Sequence, residues 1–326
     1  MVGNLSASVV VPYFNNAPLL AKGLPALARQ TVPAGDFEVI VVDDGSTDGT
    51  AALIASLGLP ESFRYVRQEN RGAAAARNRG ASEARGQILV FLDSDVVPDA
   101  TLVQEHVESH RWYDRALVVG QTRALPAQGF GVFYEVLGDT VFSFDQGNEE
   151  KQITFQQVLS RNLSLRREFF FEIGGFDQDF PRSGFEDVEF AYRAARLGFS
   201  LVYNPRASGD HHHTGTLKEV GRHMYNYQIS AVLLMQKHPE IQEQILHLRD
   251  KEPIRWRHDN LGLVMRKLMR QTLSLRPSVW LMERAISVLE RWYPSPSLLR
   301  PMYWQVLGSY LFSGFREGLR RHRPAF

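Results

Sequence analysis

Two apolar, β-branched runs in this chain end in carboxylates: Val41–Val42–Asp43–Asp44–Gly45–Ser46–Thr47–Asp48 and, well downstream, Phe91–Leu92–Asp93–Ser94–Asp95. A buried strand does not finish in paired charges without a reason, because an ion taken out of water costs on the order of several kcal/mol unless it is compensated. In an open α/β sheet, however, strand ends form the ligand crevice. Two acidic strand ends in one sheet point to a polar, nucleotide-linked ligand and a hard cation that prefers oxygen.

The surrounding pattern supplies such a sheet. Ser8–Val11 reads as a buried strand ending at Pro12, and 18–30 as a helix with Leu19, Leu20, Leu24 and Leu27 on one face. Strands follow at 37–42, 63–67, 87–92 and 116–120, separated by helices at 50–57, 72–84 and 100–110. Alternation with short links is the mark of a parallel, doubly wound sheet. From 128 to 160 the pattern weakens, and the segment reads as an acceptor-side loop region. Regularity resumes at Asn162–Arg166, then at a helix carrying Val188, Ala191, Tyr192 and Ala195 and stopped by Gly198. We expect a catalytic domain over 1–238, its nucleotide-binding half about 1–120 and its acceptor half about 121–238. A basic helical region follows over 239–326.

Composition excludes several classes. At 44% hydrophobic and 22% charged the chain is ordinary globular material. With no cysteine there is no disulfide framework, thiolate nucleophile or Cys-ligated zinc, which fits a reducing compartment. Met1–Val11 lacks the basic start of a signal peptide, and no apolar stretch is long enough to span a bilayer. The expected location is cytoplasmic, the inner face of the membrane included. Net charge is +1, but residues 254–326 hold 13 Lys+Arg against 4 Asp+Glu, a balance of +9, which leaves −8 for the rest. That tail carries Trp256, Trp280, Trp292 and Trp304. Basic helices with interfacial aromatics suit an anionic membrane surface. A helical subdomain packed on the core explains them equally. Nucleic acid is disfavoured, since the body is acidic and no nucleic-acid motif occurs.

Individually the motifs are ambiguous. In extended backbone Asp93 and Asp95 would leave on one side, yet a turn with locally capping aspartates has the same letters. Glu186–Asp187 at a helix start fits capping and dipole relief as well as it fits a general base. His211–His212–His213 fits a solvent loop, although neutral imidazole also ligates Mn²⁺.

Taken in order, the motifs resemble family 2 glycosyltransferases. The resemblance rests on Val9–Asn15, Val42–Asp48, Asn70–Arg71–Gly72, Ala76–Gly80, Leu92–Asp95, Asn162–Arg166, Gly174–Asp177 and Gly184–Glu189, and it covers roughly 5–240. It implies an α/β GT-A fold with a Rossmann-like, mostly parallel sheet flanked by helices and a C-terminal helical extension. It also implies a nucleotide-sugar donor, UDP favoured, a divalent cation (Mn²⁺ or Mg²⁺) and inversion at the anomeric carbon. Carried onto this chain, Pro12 and Phe14 line the base pocket, with Tyr13 an alternative stacking ring, and Asp43 accepts from the base. Asn15, Asp44, Arg77, Asn78 and Ser94 sit near the nucleotide, Asp93 holds the ribose, and Asp95 with His211 (His213 the alternative) meets the metal. Asp187 is the base, and Glu186 orients acceptor hydroxyls.

Alternative functions fit less well. A sugar-nucleotide nucleotidyltransferase needs a glycine-rich phosphate loop near the N-terminus, where this chain has Pro12–Tyr13–Phe14–Asn15–Asn16. An inactive binding module would not need Asp93, Asp95 and Asp187 together. A glycoside hydrolase uses carboxylate pairs but no nucleotide crevice. Processive synthases of the superfamily carry Gln-x-x-Arg-Trp, and the nearest segments, 252–256 and 288–292, lack the glutamine. The expectation is single sugar addition to a hydroxyl acceptor, a lipid-linked one included, in surface glycan or glycoconjugate assembly.

Overall fold

Fully apolar runs form strands buried on both faces, and the amphipathic runs between them become the covering helices. The computed structural model describes residues 5–126, 132–180, 184–213, 215–244, 254 and 258–322. Its first half runs β1 (Ala7–Tyr13), α1 (Ala17–Leu27), β2 (Phe37–Asp43), α2 (Thr50–Ser56), β3 (Phe63–Arg67), α3 (Ala73–Glu83) and β4 (Ile88–Leu92). Then come β5 (Val96–Pro98), α4 (Leu102–Trp112), β6 (Ala116–Pro126), α5 (Val132–Phe142), β7 (Lys151–Gln152), β8 (Asn162–Arg166), α6 (Arg167–Ile173), α7 (Glu186–Arg196) and β9 (Ser200–His213).

These strands form one sheet in the order β3-β2-β1-β4-β8-β6-β9-β5, with β7 on β9. The β3-β2-β1-β4 half is parallel, as the alternation requires. The other half is mixed: β8 runs antiparallel to both β4 and β6, β6 and β9 are parallel, and β5 is antiparallel to β9. Side chains alternate between two cores. Val9, Val11, Val39, Val41 and Val90 pack with Leu20 and Leu24 of α1. Val10, Ile40, Val42, Leu89 and Phe91 pack on the other face with Ala76 of α3 and Phe170, Phe176 and Phe190. Helix α3 lies close to β1 because Gly80 has no Cβ; one built there would meet Val10 Cγ1 at 2.2 Å. That approach brings Arg77, one turn earlier, to the crevice.

Several elements were hidden from pattern reading, and three of them show why. Helix α5 lies in the segment expected to be loop, because Val, Phe, Tyr, Thr and Gly138 give it poor intrinsic helix propensity. Val96–Pro98 is a short strand, stabilised by pairing with the distant Gly209–His211. Strand β9 is long because it pairs along β6 through an irregularity between Gly120 and Thr122.

The chain clusters into two compact units, Met1–Pro126 with Asp139–His213, and Ala127–Gly138 with Thr214–Phe326. The second contains α8 (Leu217–Lys237), α9 (Leu261–Leu273), α10 (Arg276–Trp292) and α11 (Pro296–His322). The division thus precedes α8, whereas the sequence placed it at 238. The reason is the close packing of α8 on α11, where a Cβ on Gly314 would lie 2.1 Å from the Tyr225 carbonyl oxygen. Among the described residues no helix is long and apolar enough to cross a membrane. Trp256 lies outside the described residues, as does 252–256 apart from Ile254.

Candidate active site

At the carboxyl ends of β1 and β4 lies a cleft of about 300 Å³, walled by Pro12, Tyr13, Phe14, Asp44, Ala73, Ala76, Arg77 and Asp93–Ser94–Asp95. Its size is at the lower end of small-molecule pockets, and its position is the strand-end crevice anticipated for an open sheet. Two aromatic neighbours part company here. The Tyr13 side chain is buried, with its hydroxyl donating to Asp48 and accepting from Thr50 Oγ1 and the Asn16 N–H. Phe14 is 50% exposed on the cleft wall, so it is the ring open to stacking. Asn15 adopts φ 48°, a conformation Asn tolerates. Its backbone N–H reaches Ser46 Oγ (3.0 Å) and its Oδ1 accepts from the Thr47 N–H (2.8 Å). It ties two loops together and is not among the cleft's lining residues.

The first acidic strand end is consumed by the protein. Asp43 is 1% exposed; Oδ1 accepts from the Ser46 N–H at 2.7 Å, and Oδ2 accepts from the Tyr65 hydroxyl with Arg67 Nε at 3.9 Å. Burial, with the Asp43 carboxylate second, pushes the Tyr65 phenol up to about 12. Asp43 is therefore not displayed to a base in this geometry. Asp44 is the residue on the cleft wall, although its carboxylate already accepts from the Arg71 N–H (2.9 Å), the Gly72 N–H (2.8 Å) and Gln68 Nε2 (2.8 Å). It fixes the loop leading into α3.

The second acidic end stays open. Asp93–Ser94–Asp95 is a turn, closed by the Val96 N–H donating to the Asp93 carbonyl at 3.0 Å, so the two carboxylates are not on one side of an extended strand. They have different partners. Asp93 accepts from Arg77 Nη2 at 2.7 Å, and Asp95 Oδ2 lies 3.3 Å from His211 Nε2. Strand β9 carries His211 there by pairing it with Val96 of β5. Only the backbone of the alternative, His213, is described.

Arg77, 4% exposed, bridges Asp93 to Glu186 Oε1 (3.0 Å), and the two carboxylates hold its guanidinium above its usual pKa against the opposing effect of burial. Glu186 is equally buried, and its other oxygen accepts from the Gly184 N–H at 2.6 Å. With both oxygens engaged it is placed to hold Arg77 and the start of α7; this geometry does not offer it to acceptor hydroxyls. The Asn78 amide is likewise engaged within the protein: Nδ2 donates to the Phe176 carbonyl (2.7 Å) and Oδ1 accepts from the Phe176 N–H (2.9 Å).

Asp187 follows Glu186 in the first turn of α7, after Phe185 at φ 68°. A bulky residue at positive φ is strained, a state that clusters at functional sites. The Asp187 carboxylate accepts from the Val188 N–H (2.8 Å) and the Ser160 N–H (3.3 Å). Burial, then the neighbouring Glu186 charge, raises it from 3.8 to about 7, against the lowering effect of Arg77. A carboxyl that titrates near neutrality is suited to general base work.

Sequence reasoning passed over Arg161. It precedes β8, its carbonyl accepts from the Asp93 N–H (3.0 Å), and its Nη1 donates to His211 Nδ1 (3.2 Å). Burial draws its guanidinium down from the ordinary value while Asp93, Asp95 and Asp187 oppose that. An arginine at the entry of an apolar strand was the available signal. Its contact also bears on metal binding. With Nδ1 accepting, the ring proton sits on Nε2, facing Asp95. For Nε2 to ligate a cation, the proton must move to Nδ1 and Arg161 must yield. Carboxylate oxygen suits Mn²⁺ or Mg²⁺, and an imidazole nitrogen beside it favours the softer Mn²⁺ over Mg²⁺. Among the described residues no group of three or more His, Asp or Glu is arranged to hold a metal. A cation here would draw its remaining ligands from diphosphate and water, as Mg²⁺ commonly does.

Comparison with known proteins agrees with this architecture. Residues 8–164 match the model for Glycosyl transferase family 2. Validoxylamine A glucosyltransferase of Streptomyces hygroscopicus subsp. jinggangensis is 34% identical over 230 residues, covering 62% of this chain and 54% of that protein. Glycosyltransferase AglE of Haloferax volcanii is 30% identical over 207 residues, covering 63% of this chain and 66% of its own length. The chain thus spans about half the length of the Streptomyces relative. Among solved structures, the mannosyltransferase PcManGT from Pyrobaculum calidifontis, in complex with GDP-Man and Mn²⁺, has a TM-score of 0.62 at 21% identity, covering 97% of this chain and 87% of that one. The sheet, its flanking helices and the ordered motifs carry the same conclusion: the fold is GT-A, and the chain belongs to glycosyltransferase family 2.

Proposed function

We propose that the chain is an inverting glycosyltransferase that moves one sugar from a nucleotide donor, UDP favoured, to a hydroxyl acceptor. The observation that carries this reading is the open strand-end cleft joined through a single buried guanidinium, Arg77, to the helix start that holds Asp187. Phe14 stacks on the base, and Asp93, oriented by Arg77, receives the ribose. Asp187 takes the acceptor hydroxyl proton as that oxygen bonds to the anomeric carbon. The carbon–oxygen bond to the diphosphate breaks with inversion, and the nucleoside diphosphate leaves with the bond's electron pair. Asp95 and His211 are the residues to hold a divalent cation, which when bound neutralises charge on the leaving diphosphate. Arg161 and Arg77 add fixed positive charge beside the same carboxylates. Peripheral contact of the helical unit with a membrane belongs to this reading, and it would suit a lipid-linked acceptor in surface glycan assembly.

The test is a donor screen by nucleoside diphosphate release and calorimetry, with Mn²⁺, with Mg²⁺ and with chelator. The reading requires one sugar nucleotide to bind and turn over, and turnover to fall on chelation. If no sugar nucleotide binds under any of these conditions, the reading is abandoned.

A further inference from the structure

Between Asp259 and Trp292 the helical unit turns its acids inward and part of its apolar surface outward. On α10, Trp280, Leu281, Val288 and Trp292 are 57%, 64%, 58% and 75% exposed. Arg284 and Arg291 are exposed with them, each guanidinium lying over an indole, 5.5 Å from Trp280 and 5.6 Å from Trp292. The acids of the same helix point inward. Glu283 accepts from the Tyr310 hydroxyl at 2.9 Å, and Glu290 from the Tyr303 hydroxyl at 2.6 Å. Helix α9 repeats the reversal: Leu261, Met265 and Met269 are exposed, while Lys267 is buried with Nζ 2.8 Å from Asp259.

A soluble surface helix has the opposite order. From His258 to Trp304 the sequence has three acids, Asp259, Glu283 and Glu290, against seven Lys or Arg. All three acids are engaged within the unit, so the charges left exposed are arginines. Arginine beside tryptophan, with Leu and Met alongside, matches the headgroup boundary of a bilayer: indole at the interface, guanidinium on phosphate, aliphatic side chains deeper. A second copy is a poor occupant. A twofold interface would set this face against itself, arginine against arginine with no carboxylate to pair.

We infer that α9 and α10 form a docking surface for an anionic lipid bilayer. This deepens the peripheral contact proposed above, yet it stands on the helical unit alone, so donor binding and lipid binding can fail independently. The experiment is co-sedimentation of the full chain with phosphatidylcholine vesicles, with and without phosphatidylglycerol, at low and high salt. Indole emission and analytical ultracentrifugation are followed in parallel. The inference expects binding to anionic vesicles that salt weakens, with a blue shift of indole emission. Replacing Trp280→Ser with Trp292→Ser should weaken binding about tenfold or more. Arg284→Gln with Arg291→Gln should weaken it about thirtyfold and flatten its salt dependence, at roughly fivefold per arginine. All four positions are exposed, so melting temperature and donor affinity should stay at parental values. Equal binding to neutral and anionic vesicles, or no binding, overturns the inference. So does a concentration-dependent dimer that the tryptophan variants dissolve.

Discussion

The ends of β2 and β4 look alike as sequence and differ as chemistry. Beyond β2 the carboxylates are taken up by the next turn, by β3 and by the link from β3 to α3. Ser46 and Tyr65 engage Asp43, and Arg71, Gly72 and Gln68 engage Asp44. Beyond β4 the link is a tight turn into β5, and its carboxylates meet groups that other strands and helices bring, Arg77 from α3 and His211 from β9 among them. At the first end the nearby backbone N–H groups of Ser46, Arg71 and Gly72 fix the carboxylates, whereas the second end presents Asp93, Ser94 and Asp95 on the cleft wall beside charged side chains. The difference sits in the donors that surround each end, not in the aspartates.

The largest effect should come from the residue that neither strand end supplies. Asp187→Asn should lower kcat by about a thousandfold, the middle of the range for general acid–base catalysis, while donor affinity measured by calorimetry survives. Full activity in this variant would sink the base assignment. The same carboxyl sets a pH dependence. Its raised pKa keeps it protonated to higher pH, so kcat/KM should fall as pH drops below about 7. The stability sign is opposite. A carboxyl raised from 3.8 to about 7 in the folded chain favours the fold below the lower value and loses that contribution as pH rises through the upper one. Asp187→Asn should therefore melt higher than the parent at pH 8 and alongside it at pH 4.

Next come the variants that separate the two strand ends. Asp95→Ala should reduce turnover about a hundredfold and abolish cation dependence, since Lewis-acid stabilisation amounts to several kcal/mol, with little change in melting. Asp43→Ala should do the reverse. It strands the Ser46 N–H and the Tyr65 hydroxyl in the interior, costing about 2–4 kcal/mol by chemical denaturation, with catalysis in the folded fraction largely intact. If Asp43→Ala removes donor binding at unchanged stability, the contrast between the two ends is wrong. The smallest effect is expected from Phe14→Ala: donor KM up about tenfold at similar kcat, as loss of one base–aromatic stack implies.

Much of the catalytic half was legible because its information is local. Strand β3 falls at Phe63–Arg67 as read, and β1, β2 and β4 lie within a few residues of their expected bounds. Apolar periodicity and strand-end punctuation need no partner to be recognised. What escaped depends on partners far along the chain. Val96–Pro98 is a strand only because Gly209–His211 lies beside it. The pairing of the Asn78 amide with both backbone groups of Phe176 joins residues about a hundred positions apart. Arg161 became visible only when β8 brought it to His211.

The sequence by itself determined the family, the alternating α/β order and the acidic strand ends, because motif order and periodicity are properties of the chain read in one dimension. The tertiary structure alone decided how the carboxylates divide: Asp43 locked inside, Asp44 on the wall, Asp93 and Glu186 bound to one arginine, Asp95 facing His211, and Asp187 held near neutrality. Sequence spacing cannot assign those roles. Whether a carboxylate is consumed or left available depends on burial and on which donors reach it, and those donors come from residues up to about a hundred positions away.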